Sequence, residues 1–302
     1  MNETDASLEA RAVAAATAIP AHVVEAKGHG HAGTAMALAP FAHVLFQRVA
    51  RHSPADPHWV NRDRIVLSAG HASLLLYVQL YLTGYGLELD DLAKSRTLDS
   101  RTPGHPELGH TPGVEMSTGP LGQGVGSAVG MALAARKEAA EFADGADILD
   151  HTVWVIAGDG CLQEGISSEA SSLAGTLGLD NLVLVWDDNR VTIDSLTDEA
   201  FGEDVRSRYR AYGWRIIDVD DTNDLDALEA ALLDAADRSA AAGRPTLVAL
   251  RSTIGWPSEK FGGTPAAHSG GFGADEVATV KQRLGFAPDA TLEQLVDPAV
   301  LE

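Results

Sequence analysis

Five short runs of the chain are apolar almost without interruption: RIVLS (64–68), TVWVIA (152–157), LVLVWDD (182–188), WRIIDVD (214–220) and PTLVALR (245–251). A strand with one wet face alternates apolar and polar residues. Continuous runs instead mark strands covered on both faces, and hence a parallel sheet. Parallel neighbours cannot be joined by tight hairpins, so crossover segments must lie between them, and those crossovers are right-handed. The intervening sequence has helical period near 71–82, from Pro120 through VGSAVGMALAARKEAAEF, along EGISSEASSLAGTLG, near 204–212 and over the alanine-rich 224–242. The expected fold class is α/β: a doubly wound, mostly parallel sheet with helices on both faces, built by residues 1–302 as a single domain.

Sheets of this kind bind ligands beyond the carboxyl ends of their strands. The segments at those ends are GDGCLQEG, DDNRVTID and STIGWPSEKFGGTPAAHSGG, with SAGHAS and TPGHPELGH upstream. In the first, Asp159 stands between Gly158 and Gly160 where a buried strand ends. Glycines let the backbone turn sharply and approach a ligand, and the N–H groups of a following helix suit an anion. An acid at the same place needs a donor or a cation, because an unpaired buried charge is costly. Asn189 follows the next strand in WDDNRV. A carboxylate, an amide oxygen and a backbone carbonyl are hard ligands that leave room for phosphate oxygens, the preference of Mg²⁺ carrying a diphosphate. GDG alone reads equally as an Asx turn, and GPLGQG alone reads as a helix start with proline at its first position. Pairing Asp159 with Asn189 across one βαβ unit favours the metal.

Charge and composition narrow the partners. With 43 acidic against 22 basic residues, the net charge is -21, which disfavours nucleic acid, whose binding needs a basic footprint. No run approaches a membrane span. The N-terminus MNETDASLEARAVAAATAI carries acids and lacks a basic leader segment, so it reads as an amphipathic helix and not as a signal peptide. One cysteine, Cys161, fits a reducing compartment. The expected location is cytoplasmic.

The segment GDGCLQEGISSEASSLAGTLGLDNLVLVWDDNRVTID resembles the thiamine-diphosphate motif of transketolases. The likeness extends, in order, over GHGHAG (28–33), DRIVLSAGHAS (63–73), TPGHPE (102–107), TGPLGQG (118–124) and HSGGFG (268–273). The resemblance implies thiamine diphosphate with Mg²⁺ (or Ca²⁺) as cofactors. The metal would be held by Asp159, Asn189 and the main-chain oxygen of Val191, with the Gly160 amide on the diphosphate. Gly119, Pro120, Leu121 and Gly122 would form the loop meeting the cofactor's rings. It also implies catalytic roles for four histidines in glycine-bearing loops. His31 and His268 would serve proton transfer at the donor C3 hydroxyl, and His71 and His105 would bind the C1 hydroxyl and carbonyl. His71 and His268 would also lie near the diphosphate. Imidazoles titrating near neutrality suit that work. Glu164 would join a carboxylate network crossing a subunit contact, with Glu169 less favoured. His22, His43, His52, His58 and His151 are read as structural or surface residues, and His110 has no assigned role.

In transketolases a further domain supplies the glutamate that activates the cofactor's aminopyrimidine and the groups that grip sugar phosphates. The tail FAPDATLEQLVDPAVLE is expected to have no room for such a domain, so the chain is either a shortened piece of a longer transketolase or one subunit of a split enzyme. The tail reads as a natural finish, which favours the second. The expectation is the diphosphate-binding subunit of a split transketolase. It would be active only with a separate pyrimidine-domain (C-terminal) subunit, as a dimer of heterodimers. The reaction would transfer a two-carbon ketol unit from a ketose phosphate to an aldose acceptor. Asp99, and GHGHAG in place of SGHPG, depart from the common pattern and leave open a specialised ketol transferase for an unusual sugar. The α subunit of a 2-oxo acid decarboxylating dehydrogenase shares the GDG…N logic, but would not need the four histidines.

Overall fold

A computed structural model of the chain describes residues 3–142 and 148–302. All five apolar runs are strands: β1 (Arg64–Leu67), β2 (Val153–Gly158), β3 (Leu182–Asp188), β4 (Arg215–Val219) and β5 (Thr246–Arg251). They form one sheet in the order β1-β2-β3-β5-β4, with every pairing parallel. The three central strands are buried along nearly their whole length. Each buried Val, Leu or Ile there contributes roughly 1.5–3 kcal/mol. The sheet edge differs: Arg215, Ile216 and Ile217 of β4 are only partly buried and Asp218 is exposed. Burial on both faces therefore does not extend to WRIIDVD, which has a strand neighbour on one side only.

The helices used below are α1 (Glu3–Lys27), α2 (Ser73–Leu82), α3 (Gln123–Phe142), α4 (Asp159–Gln163), α5 (Gly165–Leu177), α6 (Val205–Ala211), α7 (Leu225–Ala236) and α8 (Arg238–Ala241). The helix α3 packs on β1, β2 and β3, while α7 packs on β4 and β5.

Three helix boundaries depart from the sequence expectation. The helix expected from Pro120 starts at Gln123, because Gly119 and Gly122 have φ of 147° and 80° and keep the intervening residues in a loop. The helix expected over 224–242 is broken at Asp237. That residue is extended, and its carboxylate accepts from Ser239 N at 2.8 Å, starting α8 as an N-cap. The helix after GDG is also two pieces. Glu164 (φ -69°, ψ 136°) is an extended residue between α4 and α5, so it lies outside the helix in which it was expected, whereas Glu169 lies within α5. Among the described residues, no helix is long and apolar enough to cross a membrane.

Candidate functional site

Beyond the carboxyl ends of β1, β2 and β3 opens a cavity of about 530 Å³. Its wall includes His31, His71, His105, Gly119, Leu121, Asp159, Gly160, Glu164, Asn189, Val191 and His268. Of the residues singled out in the sequence, Pro120 and Gly122 belong to the same loop but do not line the cavity.

Five loop segments meet there, and hydrogen bonds fasten several of them together. The loop after α1 carries His31, and the long segment after β5 carries His268. They are joined by Gly270 N donating to Gly30 O (2.9 Å) and Gly255 N donating to Gly33 O (3.0 Å). His71 sits in a single turn (Gly70–Ala72) between β1 and α2. The loop bearing Gly119 is tied to β1 by Thr118 Oγ1 donating to Leu67 O (2.8 Å). Thr118 N donates to Pro106 O (3.1 Å), which ties that loop to the His105 segment. Gly70 is required for this junction: a Cβ there would lie 2.7 Å from Thr118 Oγ1 and 2.9 Å from Gly119 N.

His31, His71 and His268 form a triangle, with ring centroids 5.1, 5.4 and 4.9 Å apart. Burial lowers the pKa of each. His31 falls to about 4, with His268, Arg96 and His105 adding repulsion. His71 falls to about 3, with the other three histidines adding to the effect. His268 is lowered by burial alone, and His105 by burial and then Arg96. All four rings are therefore neutral at pH 7, each with one N–H and one lone pair to offer a hydroxyl. The buried Nδ1 atoms of His31 and His268 have no hydrogen-bond partner within the protein. Buried polar atoms are normally paired, so these two are suited to a ligand.

Lining the same cavity is Asp159, the first residue of α4 and 3% exposed. Its Oδ1 accepts from Trp186 Nε1 (2.9 Å) and its Oδ2 from Arg190 N (3.0 Å). Burial nevertheless pushes its pKa up to about 7, helped by Asp187 and Asp188 and opposed by the two donors. Asp187 is likewise raised by burial to about 6, although the Ser252 hydroxyl and Asn189 Nδ2 (2.6 Å) donate to it. Asn189 Oδ1 accepts from Val191 N (2.9 Å), and the left-handed Arg190 (φ 59°) makes the bend between them. A buried carboxylate that two donors fail to settle is suited to a cation. Among the described residues, no group of three or more His, Cys, Asp or Glu is arranged to hold a metal by itself. One carboxylate, one amide oxygen and one backbone carbonyl would leave a divalent ion most of its coordination for phosphate oxygens and water.

Residues 8–297 match the family described as "Transketolase, thiamine diphosphate binding domain". The chain belongs to this family. It is 49% identical over 290 residues to the transketolase of Mycobacterium tuberculosis (strain ATCC 25618 / H37Rv), covering 95% of this chain and 41% of that protein. With transketolase 1 of Vibrio parahaemolyticus it shares 47% over 264 residues, covering 87% of this chain and 39% of the relative. Among solved structures, a Pichia stipitis transketolase in complex with sedoheptulose-7-phosphate superposes with a TM-score of 0.91 at 44% identity, covering 98% of this chain and 43% of that one. A Campylobacter jejuni transketolase gives 0.91 at 38% identity, covering 100% and 45%. The chain thus spans less than half the length of these transketolases.

Two residues at the transketolase-like site went unmarked in the sequence. Arg96, left-handed at φ 64°, brings its guanidinium so close to Gly104 that a Cβ there would lie 3.2 Å from its Cζ. From there its charge acts on His31 and His105. Basic residues just before TPGHPE were the available signal. Trp186 lies in the third apolar run, LVLVWDD, where nothing distinguished it from its strand neighbours. Glu164 lines the cavity but is exposed, and Glu169 lies outside it, in an apolar groove with Leu133, Ile166 and Leu173. Asp99 is exposed and does not line the cavity. The histidines set aside have local partners in two cases: His43 with Glu9 (3.1 Å), and His52 with Tyr85 Oη (3.0 Å).

Proposed function

We propose that the chain is the diphosphate-binding part of a thiamine-diphosphate- and Mg²⁺-dependent transketolase. It would transfer a two-carbon ketol unit from a ketose phosphate to an aldose phosphate in the cytoplasm, and complete its site with a separate pyrimidine-domain subunit in a dimer of heterodimers. The observation that carries this reading is one cavity lined both by neutral imidazoles and by a buried, under-compensated carboxylate.

Asp159, Asn189 and the Val191 carbonyl would hold the metal, with the Gly160 amide on the diphosphate. When bound, thiamine diphosphate supplies the carbon nucleophile and electron sink that no side chain offers. His31 and His268 exchange a proton with the sugar's C3 hydroxyl, each ring being neutral and so able to accept one and return it. His71 and His105 orient the C1 hydroxyl and carbonyl. The cavity is open beside Glu164, and the neighbouring groove leaves Ile166 and Leu173 exposed. That surface supports a covering subunit.

The test is ketol transfer from xylulose 5-phosphate to ribose 5-phosphate, with cofactor and Mg²⁺, by the chain alone and with a pyrimidine-domain partner. Activity only in the mixture is expected. Turnover by the chain alone would refute the split arrangement, and failure of the mixture to bind the cofactor would refute the whole reading.

A further inference from the structure

The Asp159 carboxylate is held by donors alone. Trp186 Nε1 meets Oδ1 and Arg190 N meets Oδ2, at 2.9 and 3.0 Å. An indole N–H can only donate, as can a backbone amide. Neither neighbour can therefore accept a proton from an acid form, and together they fix the plane of a side chain whose terminal torsion is otherwise soft. Each oxygen keeps a lone pair for a cation.

The indole is itself held in place. In register, Trp186 stands between Ala157 of β2 and Ala249 of β5, small neighbours that leave it room. The Arg206 guanidinium of α6 lies 5.1 Å from the centre of its ring. Arg206 is gripped in turn by Asp218 of β4 (2.6 Å) and Asp188 of β3 (3.2 Å). A chain of contacts thus runs from the sheet edge through a cation–π stack to the expected metal ligand.

We propose that Trp186, clamped by Arg206, is a positioning residue that holds Asp159 as an oriented carboxylate for the divalent cation. This rests on the cofactor reading above. Trp186 does not line the cavity that holds the histidines but a separate pocket that also includes Asp159, Asp188 and Arg206, and its part is played through the carboxylate.

The test uses two opposed substitutions in the chain together with its pyrimidine-domain partner. Thiamine diphosphate binding is followed by calorimetry over a series of Mg²⁺ concentrations. Trp186→Phe keeps an aromatic ring and loses the donor, whereas Trp186→His keeps an N–H at the place of Nε1 and loses bulk. The Phe variant should need roughly 10–100-fold more Mg²⁺ for half-maximal binding, the usual consequence of losing a ligand's outer partner. Full binding should return at excess Mg²⁺, and the His variant should stay near the wild type. A Phe variant with the wild-type Mg²⁺ requirement, or a His variant worse than Phe, overturns the proposal and leaves Trp186 as packing. Should Trp186→Phe not fold, Arg206→Gln carries the test by releasing the indole, and an unchanged Mg²⁺ requirement there is equally fatal. Wild type and Asp159→Asn separate this proposal from its foundation. If the wild type fails to bind, or Asp159→Asn binds as well, the cofactor reading falls and this inference with it.

Discussion

Replacing Asp159 by Asn should change the pH dependence of stability in a calculable way. In the wild type without metal, the carboxyl titrates near 7 instead of 3.8. The folded chain therefore binds more protons than the unfolded chain between those values. Stability is complete below about 4, declines as pH rises through that window, and levels off above the folded pKa. A shift of about 3 units corresponds to about 4 kcal/mol at most, of which about 2–3 kcal/mol is lost between pH 5 and pH 8. Asn has no charge to lose, so this slope should vanish. It does carry a fixed penalty: its amide can accept at one oxygen only, so either Trp186 Nε1 or Arg190 N faces another donor. That mismatch costs about 1–3 kcal/mol at every pH. Urea unfolding in chelator at several pH values would measure both quantities. The expected result is a variant weaker at pH 5 whose deficit shrinks or reverses by pH 8. Parallel stability curves for the two proteins would refute the idea that Asp159 is an under-compensated charge.

Three further outcomes follow from the same geometry. Gly122→Ala should destabilise by about 1–2 kcal/mol from the left-handed backbone alone; its Cβ would also lie 2.7 Å from Glu164 Cβ, adding to the loss seen in a denaturant titration. His268→Ala should retain thiamine diphosphate in calorimetry but lower kcat of the reconstituted enzyme by about 10²–10⁴-fold, so unchanged turnover would remove His268 from proton transfer. Arg96→Met removes a charge that adds to burial in keeping His31 and His105 below their ordinary pKa. Both pKa values should rise, and the acid limb of the pH–rate profile should move to higher pH; a stationary limb would show that Arg96 does not act on these rings.

The sheet was legible because its information is local. Runs such as TVWVIA and LVLVW specify burial on both faces without reference to any other part of the chain. The chemistry-bearing loops were legible because fold topology dictates where ligands go, and the histidine, glycine and acid residues cluster there. Helix ends were less so: Asp237 has the composition of a helix interior, and only its capping geometry shows a break. The same applies to Glu164, whose extended backbone divides what reads as one amphipathic segment. Least legible were the contacts that join distant segments. Nothing in WDDN says that an indole will reach back to Asp159, or that Arg206 will cover it. Nor does SRTLDSRT reveal that Arg96 will turn toward His105. Such contacts depend on three elements arriving together.

The fastening of the His31 loop to the segment after β5 has a consequence for how the site comes into being. Hydrogen bonds from Gly255 and Gly270 to Gly33 and Gly30 unite segments at opposite ends of the chain, and a Cβ on Gly33 would overlap the Ala267 carbonyl at 2.2 Å. Links of such sequence separation must meet a loop-closure cost before they gain any contact, so they are expected to form after local structure. A nascent chain released before residue 268 would own the carboxylate and three of the four imidazoles but could not assemble the histidine triangle. This chain's share of the site is thus completed in a single step, when its two ends close on one another.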